Sequence, residues 1–344
     1  MTAYFIRRFL LIIPTFLGIT MLVFMITRFV PGGPMEKVLL QGVQSGVEGS
    51  GGGALSGDSV GGGSPLSPDQ LAQLEAFYGF DKPWYEAYVI WLWDVVQLDL
   101  GTSTRYNDDV LDIIVERLPI STYYGIMTLI ITYIVCIPLG IMKAIKHNST
   151  FDNISSILTF LGYAVPSYVV AVILLVTAGA NLEWFPLGGF MSDDTYDMTI
   201  LEQAWDILYH SILPLTAYVA GSFAVLTFMM KTSLMENLAA DYVRTAIAKG
   251  VPFRKAVVKH AIRNSLIPLA THFGQIITVF LGGSFLIEKI FNIDGLGLLG
   301  YESIVERDYP VVLGTLVISS LATLVGNILS DVCVALVDPR VQYK

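Results

Sequence analysis

The sequence predicts an all-α, polytopic membrane protein with six transmembrane helices and cytoplasmic N- and C-termini. Two observations carry this prediction: the spacing of the charged residues, and the way Lys and Arg divide between alternate segments. A helix crossing about 30 Å of hydrocarbon needs about 20 residues almost free of ionised side chains. Six runs meet that demand, with 19 residues between Arg8 and Arg28, 25 between Arg117 and Lys143, and 30 between Asp152 and Glu183. The others hold 24 residues between Asp206 and Lys231, 24 between Arg263 and Glu288, and 22 between Asp308 and Asp331. No other charge-free run reaches 18 residues. Uninterrupted apolar stretches in soluble cores seldom exceed about 14 residues, which argues against a large soluble domain.

Lys and Arg concentrate on the cytoplasmic side of membrane proteins. With the N-terminus inside, thirteen of the twenty basic residues fall on inner segments, and twenty-four of the twenty-nine acidic residues fall outside. The inner face then carries +8 and the outer −17, so the acidic isoelectric point reflects an acidic outer face and not a nucleic-acid or enzyme surface. Arg7 and Arg8 precede a long apolar run with no small-residue cleavage site after it, the pattern of an uncleaved signal anchor. Cys136 and Cys333 both fall inside spans, which leaves no disulfide framework, and no Cys/His spacing fits a metal.

In chain order, the expected organisation is a cytoplasmic N-terminus (1–8), a first span (9–30) and a long outer loop (31–118). Within that loop, 42–68 is rich in Gly and Ser and reads as a flexible linker, while 69–118 turns helical as a small cap. Leu71, Leu74 and Tyr78 recur at helical spacing, and Trp84, Tyr88, Trp91, Leu92 and Val95 form a second stripe behind Pro83. These aromatics suit either an interfacial position or ordinary packing of the cap. Then follow a second span (119–142), a short inner loop (143–153), a third span (154–181) and an outer loop (182–209). A fourth span (210–231), an inner loop (232–264), a fifth span (265–288), an outer loop (289–309), a sixth span (310–334) and a cytoplasmic tail (335–344) complete the chain. Pro14, Pro138, Pro166, Pro214, Pro268 and Pro310 lie in the spans or at their mouths, where kinks suit a moving pathway or a static bundle.

The inner loop 232–264 has an architecture of its own. Asp241 can cap a short helix through Lys249, Gly250 fits the left-handed position after it, and Pro252 suits the first turn of a second helix. In that helix Phe253, Ala256, Val257, His260 and Ala261 share one face, and Lys255, Lys259 and Arg263 form a basic stripe. Such a unit either docks a partner or rests on anionic lipid. Chemistry-bearing motifs are missing: there is no phosphate loop GxxxxGK[ST], no GxSxG, and the four histidines are far apart in sequence. Polar positions that suit a pathway, or simple hydrogen bonding between helices, are Tyr163, Ser167, Thr271, Gln275 and Thr278.

The stretch from Asp241 through Gly250, followed by His260-Ala261-Ile262-Arg263-Asn264 and Leu266-Ile267-Pro268, closely resembles the cytoplasmic loop of binding-protein-dependent ABC permeases of the dipeptide/oligopeptide branch. Further matches are Gly282-Gly283, Glu288, Phe291, Gly295-Leu296-Gly297, Arg307-Asp308-Tyr309-Pro310 and Leu336-Val337-Asp338-Pro339-Arg340. The Gly-rich insertion, Tyr78-Gly79-Phe80-Asp81-Lys82-Pro83 and Gly297-Leu298-Leu299-Gly300-Tyr301-Glu302 are similar to Yej-type permeases, associated with peptides and the peptide antibiotic microcin C. Ile247 stands where the branch usually has Arg, and Asp294 where many members have Pro.

The resemblance implies the ABC importer permease fold and a chain that is not itself an enzyme and holds no cofactor. ATP and Mg would be bound by partner ATP-binding subunits, beside a second homologous permease subunit and a periplasmic substrate-binding protein, all at the bacterial inner membrane. It further implies docking of the ATPase at Asp241, Tyr242, Arg244, Thr245, Ala246, Ala248, Lys249 and Gly250. Contact with the binding protein would fall at Glu288, Asp294, Gly295, Gly297, Arg307 and Asp308, expected to be exposed. Two other readings stay open at this point: an ion- or proton-coupled secondary transporter, and a membrane sensor with a periplasmic cap. The first often shows inverted repeats and buried ion-binding residues, and the spans carry almost none. The second needs a cytoplasmic output domain larger than these inner loops hold.

Overall fold

A computed structural model of the 344-residue chain describes residues 2–29, 81–273 and 284–337. Among these residues, four helices are long and apolar enough to cross a membrane: Leu10–Phe29 within the helix Thr2–Phe29, Val110–Ile145, Ile200–Ala239 and Tyr309–Val337. At about 1.5 Å per residue, the 36-residue and 40-residue members run about 54 and 60 Å, longer than the hydrocarbon core is thick. Pro14, Pro119, Pro138 and Pro214 sit inside continuous helices.

Pro166 behaves differently. The run expected to form one span over 154–181 is instead the pair Thr150–Ala164 and Ser167–Asn181, bent by 94°. Val165 is extended (φ −89°, ψ 121°), as the ring of a following proline requires, and Pro166 then caps the next helix. The last turns of that second segment, Leu175–Asn181, are wound as a π-helix. The fifth expected span is described only at its ends, as helix 267–273 and Phe285–Ile290, and residues 274–283 lie outside the described residues. The expected linker 42–68 and the first part of the cap, 69–80, lie outside them too.

The described chain forms two compact units. The larger comprises Met1–Ile12, Val115–Tyr301 and Ile318–Lys344. Its core is apolar, with Leu213, Leu226, Met230, Leu234, Leu269 and Ile287 among its buried side chains, but one helix turns hydroxyls toward it. On the Val110–Ile145 helix the outward positions Ile126, Ile130 and Ile134 are exposed large aliphatics, whereas Ser121, Tyr124, Thr128, Thr132, Cys136 and Gly140 follow one inward face at steps of three and four. Tyr124 stacks on Tyr218 at 5.8 Å, and the Cys136 thiol donates to the Phe223 carbonyl at 3.3 Å. At Gly140 a Cβ would fall 2.6 Å from the Met230 Cβ and 2.8 Å from the Thr227 carbonyl, so the Ile200–Ala239 helix approaches to backbone contact. Small and hydroxyl residues at such a seam let helices meet closely where apolar tails exert no drive between them.

One end of this unit, the end expected inside, is fixed by a charge cluster around buried Lys143 and Asp152. Lys143 is 0% exposed, and its ammonium donates to the Ser155 hydroxyl (2.9 Å), the Ser156 hydroxyl (2.7 Å) and the Asp152 carbonyl (3.1 Å). Lys231 donates to both Asp152 carboxyl oxygens at 2.7 Å, and the Asn148 amide adds a third donor at 3.1 Å. The three residues that end two charge-free runs and begin a third thus meet at one point.

The smaller unit comprises Ile13–Ile114 and Glu302–Val317. Here the helix Trp84–Val96 packs Ala87 and Tyr88 against Phe24, with Trp91, Leu92 and Leu313 around them. The Tyr88 hydroxyl donates to the Leu17 carbonyl at 3.1 Å and lies 3.0 Å from the Thr20 hydroxyl. The aromatic stripe therefore serves packing, except Trp84, which is exposed.

Two predictions follow from these contacts. Even Gly140→Ala should destabilise the larger unit by about 1–3 kcal/mol, because the seam cannot widen without a backbone shift, and thermal unfolding in detergent or nanodiscs reads this directly. Burial pushes the Asp152 carboxyl up, but the Lys231, Asn148 and Lys143 hydrogen bonds outweigh it and hold the group down at about 2 against an ordinary 3.8. A depressed acid stabilises the folded state above its unfolded value and loses that contribution as pH falls through the folded one. Stability should therefore fall between about pH 4 and pH 2. Asp152→Asn should lack this acid-dependent component, and it should cost about 3–5 kcal/mol at neutral pH by leaving buried Lys143 and half-buried Lys231 without their counterion.

Candidate functional site

The inner loop folds as the helix–turn–helix that its sequence indicates. Asp241–Ala248 is the first arm, and extended Ala240, not Asp241, precedes it as the cap. The turn closes with two reversed hydrogen bonds, Val251 N–H to the Ala246 carbonyl (3.1 Å) and Gly250 N–H to the Ile247 carbonyl (2.9 Å), the pair that defines a Schellman motif. Gly250 takes φ +86°, and a Cβ there would meet nothing within 4 Å. Its requirement for glycine is therefore conformational and not steric. Pro252 caps the second arm, Phe253–Ala256, which widens into π-helical Val257–Ala261 before Ile262–Ser265.

The two arms are pinned by few residues. Val243 is 0% exposed in the first arm, and Ala256, Val257 and Ala261 are buried in the second. Phe253, expected on that inner face, is instead exposed, since it starts the helix beside the turn, and His260 is half-buried. The Tyr242 hydroxyl donates to the Asn237 side chain and accepts from the Asn264 amide at 3.0 Å, which ties the end of the Ile200–Ala239 helix to both arms. Arg263 donates to the Val337 carbonyl at 3.2 Å, fixing the second arm to the last helix. Asp241, Tyr242, Arg244, Thr245, Ala248, Lys249 and Gly250 are exposed and Ala246 is half-buried, so the expected docking residues form one surface over a single buried side chain. Arg254, Lys255, Lys259 and Arg263 add exposed cations on the second arm.

On the outer side the expected contact residues separate into two kinds. Asp294 is exposed and paired with Arg117 at 2.8 Å, Arg307 is exposed at φ +61°, and Gly297 is half-buried. Glu288 and Asp308, by contrast, are 2% and 1% exposed, which corrects the expectation of exposed carboxylates, and Gly295 is buried as well. In the larger unit the Glu288 carboxyl accepts from the Leu298 N–H (2.6 Å), the Ser284 N–H (3.2 Å) and the Tyr218 hydroxyl (3.4 Å). In the smaller unit the Asp308 carboxyl accepts from the Ser103 hydroxyl at 2.5 Å and the Thr104 and Arg105 amides at 3.2 Å, while Arg105 pairs with Glu302 and Glu306 at 2.9 Å. Buried carboxylates of this kind are matched by donors because an unmatched one is costly.

Three of the pathway candidates lie among the described residues. Tyr163 is exposed just before the break at Pro166, Ser167 begins the next helix with Gly221 beside it, and the Thr271 hydroxyl donates to its own helix at the Ile267 carbonyl (3.1 Å). Gln275 and Thr278 lie outside the described residues. Sequence reasoning missed the hydroxyl seam over Ser121 to Gly140, although its spacing of three and four was there to be counted.

Comparison with known proteins identifies relatives along the whole chain. The chain is 40% identical to the peptidoglycan transport system permease protein YejB of Agrobacterium fabrum, over 100% of this chain and 99% of that protein. It is 39% identical to the inner membrane ABC transporter permease protein YejB of Escherichia coli O157:H7, over the full length of both. It is also 35% identical to the oligopeptide transport system permease protein AppB of Bacillus subtilis, again over the full length of both. Residues 136–343 match the family described as binding-protein-dependent transport system inner membrane component. With that match covering more than half of the chain, and with several apolar spans, this multi-pass inner-membrane protein belongs to the family of binding-protein-dependent transport system inner membrane components.

Proposed function

We propose that the chain is the permease subunit of an ATP-driven importer that moves peptides, or peptide-like compounds such as microcin C, inward by alternating access. The six spans and cytoplasmic termini belong to this reading, as do a second homologous permease, two ATP-binding subunits that hold the ATP and Mg, and a periplasmic binding protein. Relatives named for peptidoglycan and oligopeptide transport support a substrate built on peptide bonds. The single observation that carries the mechanism is the inner helix–turn–helix, an exposed surface seated on Val243 and ended by a positive-φ glycine. The chain lacks a phosphate loop, so the energy enters through that surface.

A rigid arm transmits force only if its angle is fixed. The Schellman turn fixes the angle between the arms, and the Tyr242 and Arg263 hydrogen bonds tie them to the two helices that end nearby. Closure of the nucleotide subunits would then displace the arms and, through them, the Ile200–Ala239 and Tyr309–Val337 helices.

Gly250→Val should weaken the turn by about 1 kcal/mol or more, because a branched side chain disfavours positive φ. The expected outcome is a normally inserted chain with weaker ATPase association, or an assembled complex that hydrolyses ATP without moving peptide. Gly250→Asn should retain most function, since Asn tolerates the left-handed region and there is open space at the Cβ. Pull-down, ATPase rate and peptide uptake test this, and wild-type values in all three for Gly250→Val would sink the coupling role in favour of an arm that rests on lipid. On the outer side, photo-crosslinkers at Asp294 or Arg307 should reach the binding protein. Labelling of these two positions from the cytoplasm alone would overturn the topology.

A further inference from the structure

The buried carboxyl of Glu288 occupies a position that direct contact with a partner does not explain. The outer loop 289–298 leaves the short helix Phe285–Ile290 and enters the helix Leu296–Glu306, so its two ends must be held together. Glu288 reaches both of them: one carboxyl oxygen accepts from the Ser284 N–H before the loop, and the other from the Leu298 N–H after it. The Tyr218 hydroxyl, from the Ile200–Ala239 helix, donates to the first of these oxygens and so ties the clamp to a span.

The rest of the loop is shaped around this clamp. A Cβ at Gly295 would lie 2.6 Å from the Glu288 carboxyl carbon, so glycine is what lets the chain cross so close to it. The Leu296 N–H donates to the Ser121 hydroxyl at 2.8 Å, Arg117 pairs with Asp294, and the Gly189 N–H donates to the Phe291 carbonyl at 2.8 Å. With its interior fixed in this way, the loop turns outward Lys289, Asn292, in the left-handed region at φ +49°, and Asp294.

We infer that Glu288 is a positioning residue, holding the loop 289–298 in the shape that meets the periplasmic binding protein while never touching that protein itself. The inference rests on the importer reading. It assigns recognition to the exposed tip residues Asn292 and Asp294 and their geometry to a side chain buried beneath, which departs from the expectation that Glu288 belongs to the contact surface.

Glu288→Gln is the informative change. It keeps the shape, but an amide has one acceptor end and one donor end, so whichever way it turns one of the two backbone N–H groups faces a donor. Gly295→Ala displaces the same carboxyl from the opposite side and leaves Glu288 intact. Both variants are tested in the full complex in nanodiscs, by hydrogen exchange across 284–298 and by ATPase stimulation with the binding protein that co-purifies with it. The expected result is faster exchange confined to that segment, with the binding-protein concentration for half-maximal stimulation raised about tenfold and the same plateau approached at saturation. Unchanged exchange in both variants overturns the inference. Faster exchange with an unchanged half-maximal concentration also overturns it, by separating the loop from docking, and leaves the importer reading standing. If the wild-type complex is not stimulated by the binding protein at all, the importer reading fails instead, and exchange alone then reports whether Glu288 holds the loop.

Discussion

The close approach of the Val110–Ile145 and Ile200–Ala239 helices is the contact on which the larger unit depends. In hydrocarbon, apolar side chains gain little by leaving lipid for one another, so association rests on packing and on hydrogen bonds between helices. The seam meets the packing condition by close approach, with the Cys136 thiol bonded across it to the Phe223 carbonyl. Aliphatic residues face outward at Ile126, Ile130 and Ile134, and the smallest or hydroxyl-bearing residues face inward from Ser121 to Gly140. Once Gly140 admits Met230 and the Thr227 backbone, the Ile200–Ala239 helix is placed along its length. Tyr218, Lys231 and Tyr242's partner Asn237 all belong to that helix, so its placement sets the Glu288 clamp, the Lys143–Asp152 cluster and the base of the helix–turn–helix arms.

Charge is used sparingly, at the ends of the apolar runs, and much of it is turned inward. Lys143, Asp152 and Lys231 bound three runs and meet in one cluster, in which Lys143 and Asp152 are buried and Lys231 is half-buried. Glu288 and Asp308 mark outer boundaries and are buried separately, each against backbone N–H groups. A boundary charge is the natural choice for such an anchor. It cannot move deeper into the lipid, and when pulled into protein it accepts or donates several hydrogen bonds at one atom, which holds several chain segments at once. A buried ion pair of this kind fixes geometry more than it adds stability, because desolvation offsets most of the Coulomb attraction.

The positions of the described apolar runs and the inner helix–turn–helix were legible in the sequence because each rests on a local rule. Charge spacing bounds a span, and Gly250 followed by Pro252 punctuates two helices. What sequence did not reveal depends on distant partners. Pro166 and Pro138 look alike in sequence, yet one breaks a helix by 94° and the other sits within a continuous one. Proline is tolerated inside a helix when neighbours satisfy the freed carbonyl, and that is decided by packing. In the same way the sequence presents Glu288 as an exposed contact residue at the end of a span, since nothing within a few residues announces that Leu298 and Tyr218 will close over it. Phe253 shows the converse: a large apolar residue at helical register was assigned to the inner face, although its position beside the turn leaves it in solvent.

Under the proposed function the two faces must communicate, and thermodynamics constrains how. If nucleotide binding inside favours one arrangement of the spans, that arrangement must differ in its affinity for the loaded binding protein outside, and by the same coupling free energy in both directions. Such coupling needs stiff parts joined at few places. The inner arms meet this need, because hydrogen bonds at both ends of the turn and one buried valine leave little freedom for the exposed surface to yield under load. The outer loop meets it through the Glu288 clamp, which ties its two ends to each other and to Tyr218. The Tyr218 and Asn237 attachments lie nineteen residues apart on one helix, about 28 Å by its rise, so a rotation of that helix would act on both faces together. The freedom to move then resides elsewhere in the larger unit, and the sharp break at Pro166, where the backbone leaves the helical region between two helical segments, has the geometry of a hinge.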